Sequence, residues 1–250
     1  MKRLVRALTI AALLIPGMWI ASSGNAARLK SSPLFEEVLQ AHGGRGAIGS
    51  VSSFHAKAVR LTSTRPPEYI ERKLTVSAFG PWFKRHIVDP LGLIEQFELF
   101  DGQVGYYSVV EKGTAVDQPR LMDSERLRAV KFSIDAYGLV PILQTCSGPA
   151  VEAVFLERTP RSLDKFAVRT EAGEWFVYVD RSHRIVRVDI GDKILQFADY
   201  RSVNGLQLPF IQRMSLGSQL IYQLTFSTIE LNPSFPTGYF SREAFGQNLK

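Results

Sequence analysis

The chain has 250 residues, of which 45% are hydrophobic and 22% charged, with one cysteine, and its formal net charge is +6. Removing Lys2, Arg3 and Arg6 with the leader described below takes Lys+Arg from 30 to 27 against 24 Asp+Glu, a net charge of +3. That is too mild for a nucleic-acid binder, which needs a concentrated basic stripe, and the lone Cys146 excludes an internal disulfide.

Residues 1–26 carry three basic side chains, an apolar run from Ala7 to Ile20, and small residues ending at Ala26. This is the plan of a secretory signal peptide cleaved after Ala26. The rival reading, a transmembrane anchor, needs roughly 20 apolar residues; the run has 14 and is interrupted by Pro16 and Gly17. No Pro/Gly/Ser-rich linker or repeat divides residues 27–250, which are expected to form one domain.

The next signal is helical. Ser32 is a candidate cap, Pro33 suits the first helical position, and Leu34, Phe35, Val38 and Leu39 make a stripe, so a short helix is predicted over residues 33–42, stopped by Gly43 and Gly44. From residue 70 the period becomes two. Strands are predicted over residues 70–78, 82–88, 94–100 and 104–110, the last two joined by Asp101-Gly102. Between Asp123 and Cys146 helical spacing returns, with Leu127, Val130, Ile134 and Tyr137 as a stripe and Gly138 and Pro141 as breakers. Strands follow over residues 151–156, 165–170, 174–179, 184–190, 194–203, 206–216 and 220–231, with short connections that make neighbours antiparallel. Eleven or twelve strands in one sheet must twist and curl, and the two helices must bury their stripes. The expected fold is mostly β: a strongly curved antiparallel sheet forming an incomplete, half-open barrel, with two or so helices covering its concave side.

Catalytic signatures are missing. The chain contains no Gly-x-Ser-x-Gly elbow, His-Glu-x-x-His helix, phosphate-binding loop or dinucleotide fingerprint. The histidines His42, His55, His86 and His183 lack ligand spacing, so each reads as a surface or helix-end residue, and no metal or other cofactor is expected. Cys146 reads as a small buried hydrophobe. The remaining signal is a surplus of apolar strand faces, which are either core or the lining of a cavity for an apolar ligand. The candidate lining residues are Arg72, Leu74, Val76, Phe97, Leu99, Phe166, Val168, Val186, Val188, Phe197, Tyr222, Leu224 and Phe226. Arg72 lies in an apolar row, either as a rim residue or as an inward charge for an anionic or carbonyl-bearing ligand.

The run Phe197-Ala198-Asp199-Tyr200-Arg201-Ser202-Val203-Asn204-Gly205-Leu206-Gln207-Leu208-Pro209-Phe210, continuing to Ile229-Glu230-Leu231-Asn232-Pro233, resembles the end of proteins in the lipoprotein-sorting (LolA/LolB-like) superfamily. The helix end Gln40-Ala41-His42-Gly43-Gly44, with Ala47 and Val51 beyond it, resembles the family's opening. The resemblance implies a half-open barrel capped by helices, whose cavity accommodates acyl chains or other apolar groups in the periplasm. The resemblance does not imply the same cargo; with the missing catalytic signatures and the mild charge, the expected function is a non-enzymatic periplasmic binder or carrier of a lipid, a lipoprotein acyl chain or another apolar molecule, monomeric, with an envelope protein as a further partner and no nucleic acid. An alternative on the same scaffold is an envelope protein-interaction or sensing module whose cavity is filled by its own side chains. Within the run, Asn204-Gly205 suits a type I′ turn, and Pro209 suggests a bulge or an edge position.

Overall fold

The computed structural model describes residues 32–65, 68–111, 114, 119–136, 138–170 and 173–245. The proposed leader, residues 1–26, lies outside the described residues. Two short helices, α1 (Pro33–Ala41) and α2 (Gly44–Gly49), precede a meander of β1 (Ser53–Arg65), β2 (Glu68–Phe79), β3 (Trp82–Val88), β4 (Ile94–Phe100), β5 (Gly105–Glu111) and β6 (Arg120–Leu121). Helices α3 (Ser124–Ala136) and α4 (Leu139–Cys146) then lead to a second meander. It consists of β7 (Glu152–Arg158), β8 (Asp164–Thr170), β9 (Gly173–Val179), β10 (Ile185–Ile190), β11 (Lys193–Val203), β12 (Leu206–Leu216) and β13 (Gln219–Leu231).

Among the described residues all 13 strands form one sheet, in the order β6-β5-β4-β3-β2-β1-β13-β12-β11-β10-β9-β8-β7. Only the β1/β13 junction joins strands distant in sequence; it zips the two meanders together antiparallel, with Phe54 opposite Leu231 and Thr62 opposite Tyr222. Strands β6 and β7 end the order without meeting, so the barrel is open, and the helices sit on its concave side.

Each predicted helix is in fact a pair. Gly43, at φ 116°, ends α1 but turns the chain directly into α2. Pro141 does not end the second helical region, because it is the third residue of α4, within the first turn, where a missing N–H costs no helical bond. Asp123 does cap α3, accepting the Arg126 amide at 2.8 Å.

Strand β1 and the two-residue β6 are additions to the predicted strands. In β1 the inward positions include Ala56, Ala58 and Arg60, two small residues and a charge, so the apolar period is muted although the strand lies at the centre of the sheet.

The register separates two faces. Leu74, Val76 and Ala78 on β2 face inward with Ile87, Arg85 and Phe83 on β3, and with Gln96, Glu98 and Phe100 on β4. Along the second meander the inward row passes through Phe166, Val177, Val188 and Leu195, and then through Met214 and Tyr222. Two cores result. One, under α1, α2 and α4, buries Phe35, Leu39, Ile142, Leu143, Phe166 and Leu195. The other, toward α3, buries Ala58, Leu74, Val76, Phe83, Leu224 and Val130.

Candidate functional site

The inward face differs between the two halves of the barrel. Under α1, α2 and α4 the interior is filled: Phe166, Val168, Val188 and Phe197 are buried in a continuous core, a void of only about 20 Å³ lies beside Phe226 and Leu139, and a more open space of about 470 Å³ lies at the edge where Val140, Pro141 and Gln144 of α4 meet Phe54 and Phe79. Under α3 a cavity of about 430 Å³ remains. Its floor is Met214, Ile221, Tyr222 and Leu224 of β12 and β13, with Arg60 of β1 and Arg85 of β3. Glu125, Arg128, Ala129 and Phe132 of α3 form the cover, and Lys193 at the start of β11 closes one side.

Charges inside this cavity are supported by carboxylates and rings. Glu98 on β4 is almost fully buried and is shared by Arg85, whose Nε donates to Oε2 at 2.9 Å, and by Arg126 of α3 at 3.2 Å. Burial alone would raise the Glu98 pKa, but Arg85, with Arg126, outweighs it and holds the carboxyl below its ordinary range. The cluster fastens α3 to the sheet. Arg60 sits over the Tyr222 ring at 5.1 Å, and the Lys193 ammonium lies 4.0 Å from the Phe132 ring centre. Burial pushes the Tyr222 phenol up, so it stays a neutral hydroxyl, and it accepts from Gln212 Nε2 at 3.3 Å. The other end of Gln212 accepts the Gly138 amide at 2.8 Å, which pins the α3–α4 junction to β12.

The opposite end of the helical cover is also fastened. His42, fully buried at the end of α1, bridges two strands: Nδ1 lies 2.9 Å from the Gln207 carbonyl, and Nε2 accepts the Ile185 amide at 3.1 Å. The second bond requires an unprotonated Nε2, so the ring is neutral with its hydrogen on Nδ1. Burial, the dominant cause, lowers its pKa. His42 is thus a helix-end residue, as its position suggested, but with a buried structural task. His55, expected at the surface, is buried instead, because the segment over residues 232–245 covers that side of β1 and its Nδ1 lies 2.9 Å from Ser77 Oγ. Cys146 is buried as well, and burial pushes its thiol up to about 12.

The structure brings only some of the candidate residues together. Tyr222 and Leu224 line the cavity under α3, with Leu74, Val76 and Phe226 buried in the core beside it. Arg72 shares the inward face and sits directly opposite Arg60, on β2 between the two strands that supply Arg60 and Arg85, but does not itself line the cavity. Val186 falls at the irregularity between Ile185 and Arg187, outside the inward row.

Phe97 and Leu99 lie on the opposite, outer face. The sheet register sets them beside His86 and Lys84, and the segment over residues 232–245 covers them. Both sides of β4 are buried, so its apolar residues do not reveal which side is concave. Arg60, Arg85, Arg128 and Lys193 were missed by the sequence reading. The inward charge at Arg72 was the available signal for such a cluster, but it led no further because β1 was not recognised.

That outer segment creates a second, larger space of about 970 Å³, lined by Phe79, Trp82, Phe235, Tyr239 and Phe240 among others. The segment is pinned by buried Lys84, which donates to the Ala244 carbonyl at 2.8 Å and sits 4.1 Å from the Tyr239 ring centre. Burial brings the Lys84 pKa down to about 8. This space is open and more polar at its rim, with Asp101, Arg242 and Glu243. Among the described residues no cluster of three His, Cys, Asp or Glu side chains is placed to hold a metal, and no helix is long and apolar enough to cross a membrane.

No family model and no curated protein matches the chain. Solved structures do match, and three of them superpose at a TM-score of 0.53. A DUF1329 family protein from Desulfovibrio piger is 11% identical, with 84% of this chain and 97% of that one covered. A putative outer membrane lipoprotein-sorting protein domain from Vibrio parahaemolyticus is 12% identical, with coverage of 83% and 96%. A LolA superfamily protein from Nitrosomonas europaea is 14% identical, with coverage of 83% and 97%. The chain therefore has the fold shared by these lipoprotein-sorting and LolA superfamily structures.

Proposed function

We propose that the protein is a non-enzymatic binder or carrier of a lipid, a lipoprotein acyl chain or a similar apolar molecule, held between α3 and the concave face of the sheet. The observation that carries this reading is the cavity of about 430 Å³ between α3 and the inward residues Met214, Tyr222 and Leu224, where the inward face under α1, α2 and α4 is packed by Phe166, Val188 and Leu195. The description of the Vibrio neighbour as lipoprotein-sorting agrees with it. Within this reading the leader over residues 1–26 is cleaved and residues 27–250 act as a single monomeric domain in the periplasm. Tyr222 and Leu224 contact the ligand, with Leu74, Val76 and Phe226 behind them.

Binding would rest on desolvation. Each chain methylene removed from water contributes about 0.8 kcal/mol, so an acyl chain needs no directional chemistry to be held. Entry requires α3 to move, and the Glu98 cluster and the Gln212–Gly138 bond are the contacts that resist it. Native mass spectrometry of the protein purified from membranes is expected to show a bound lipid mass. A clean apo mass together with no uptake of a fluorescent fatty acid would contradict the reading.

The interaction-module alternative draws on a different observation, the solid core under α1, α2 and α4. It predicts that the space under α3 is closed by side chains in solution, and hence that lipid is neither bound nor taken up.

A further inference from the structure

We propose that the cavity under α3 selects amphiphiles with an anionic head group, a carboxylate or a phosphate, the head held by Arg60, Arg128 and Lys193 and the chain by Met214, Ile221 and Leu224. The proposal rests on the carrier reading above and narrows its ligand class.

Arg60 and Lys193 are half-buried in the wall of this cavity, where a charge is costly unless something answers it, and Arg128 is exposed at its edge, so a wall meant only for hydrocarbon would gain nothing from them. Four cations, Arg60, Arg85, Arg128 and Lys193, line this cavity against one carboxylate, Glu125. Arg85 is engaged by Glu98, which Arg126 also reaches. No ion pair holds Arg128 or Lys193 among the described residues, and no carboxylate other than Glu125 lines the space.

The arrangement also carries like-charge repulsion. Arg60 and Arg72 are direct cross-strand partners on the inward face, a pairing of like charges that is unfavourable in a sheet. Two of the cations are positioned in advance by aromatic faces, Arg60 by Tyr222 and Lys193 by Phe132. An excess of positive charge between low-dielectric walls focuses the field on the space between them. Apolar side chains share that space, so the matching ligand has a charged end and a hydrocarbon end.

The test compares oleate, oleyl alcohol and inorganic phosphate by titration calorimetry on the full mature chain. Oleate is expected to bind at least about tenfold more tightly than the alcohol of equal chain length, with the ratio shrinking as salt is raised. The double substitution Arg128→Gln, Lys193→Gln is expected to bring the ratio close to one, with an unchanged melting temperature reporting an intact fold; should that variant not fold, the wild-type ratio and its salt dependence decide. Equal binding of oleate and alcohol would overturn the head-group proposal and leave the carrier reading standing. Binding of neither would overturn both. Phosphate binding as tightly as oleate would show a free small anion as the ligand and overturn the amphiphile assignment.

Discussion

Gly43 packs so tightly against Gly205 that a Cβ on it would lie 2.8 Å from the Gly205 carbonyl oxygen and 2.6 Å from Leu206 Cδ2. The end of α1 thus rests on the tip of the β11–β12 hairpin, and no side chain fits between them. Gly43→Ala combines this clash with a left-handed φ of 116° and is expected to cost about 3 kcal/mol in urea unfolding. Gly46→Ala is the control: nothing lies within 4 Å of its new Cβ in α2, so the change is expected to be neutral or to stabilise by up to ~1 kcal/mol.

His42 gives the protein an acid-sensitive clasp. Its folded pKa is lowered, chiefly by burial, with Arg184 adding to the effect and the Gln207 carbonyl and Asp180 opposing it. The unfolded chain, at about 6.5 for a free imidazole, therefore takes up protons first as pH falls. The stabilisation is complete above that value and is lost as pH falls below it toward the folded pKa. Urea midpoints are expected to drop between pH 7.5 and 5.5, and the drop to be smaller in His42→Gln. That variant should itself lose about 2 kcal/mol at pH 7.5 for its buried hydrogen bonds. His55, also lowered by burial, contributes with the same sign, so the slope is reduced but not abolished.

Lys84 acts in a different window. With a folded pKa of about 8 against about 10.4 in the unfolded chain, the unfolded state binds more protons between those values, so this group makes stability rise with pH across them. Lys84→Met removes that slope. It also frees the segment over residues 232–245, an effect expected to appear as faster proteolysis near the carboxy terminus.

The Glu98 cluster links the sheet to the movable cover. Glu98→Gln removes the carboxylate shared by buried Arg85 and Arg126, at an expected cost of about 3 kcal/mol or more. Arg126→Ala, at a partly exposed position, is expected to cost about 1 kcal/mol. Hydrogen exchange should tell the two apart: Arg126→Ala speeds exchange in α3 and ligand uptake, and leaves β11 to β13 protected.

Ala129 on α3 lines the cavity from the covering side. Ala129→Trp directs an indole toward the floor without touching the sheet's hydrogen bonds. Loss of fatty-acid uptake with an unchanged melting temperature is the expected result.

The sequence carried much of the scaffold. Short turns such as Asn204-Gly205, both at positive φ, fixed the neighbours in each meander. The hairpin pairs Val203 with Leu206 and Arg201 with Leu208 as its turn dictates, and Pro209 lies where β12 has passed beyond its pairing with β13, so the missing donor is not needed on that side. What stayed hidden depended on long-range contacts. β1 pairs with β13 across most of the chain, and its Ala56, Ala58 and Arg60 show little alternation. The outward placement of Phe97 and Leu99 follows from the segment over residues 232–245 folding back over the sheet, a contact that local periodicity does not encode.

The ligand is expected in the space under α3 and not in the larger outer one. Photocrosslinking with a diazirine-bearing fatty acid, followed by peptide mapping, tests that placement most directly. Adducts are expected on Met214, Ile221, Tyr222 and Leu224 and on the α3 peptide. Adducts confined to Trp82, Phe235 and Tyr239 on the outer face, or none at all, would contradict it.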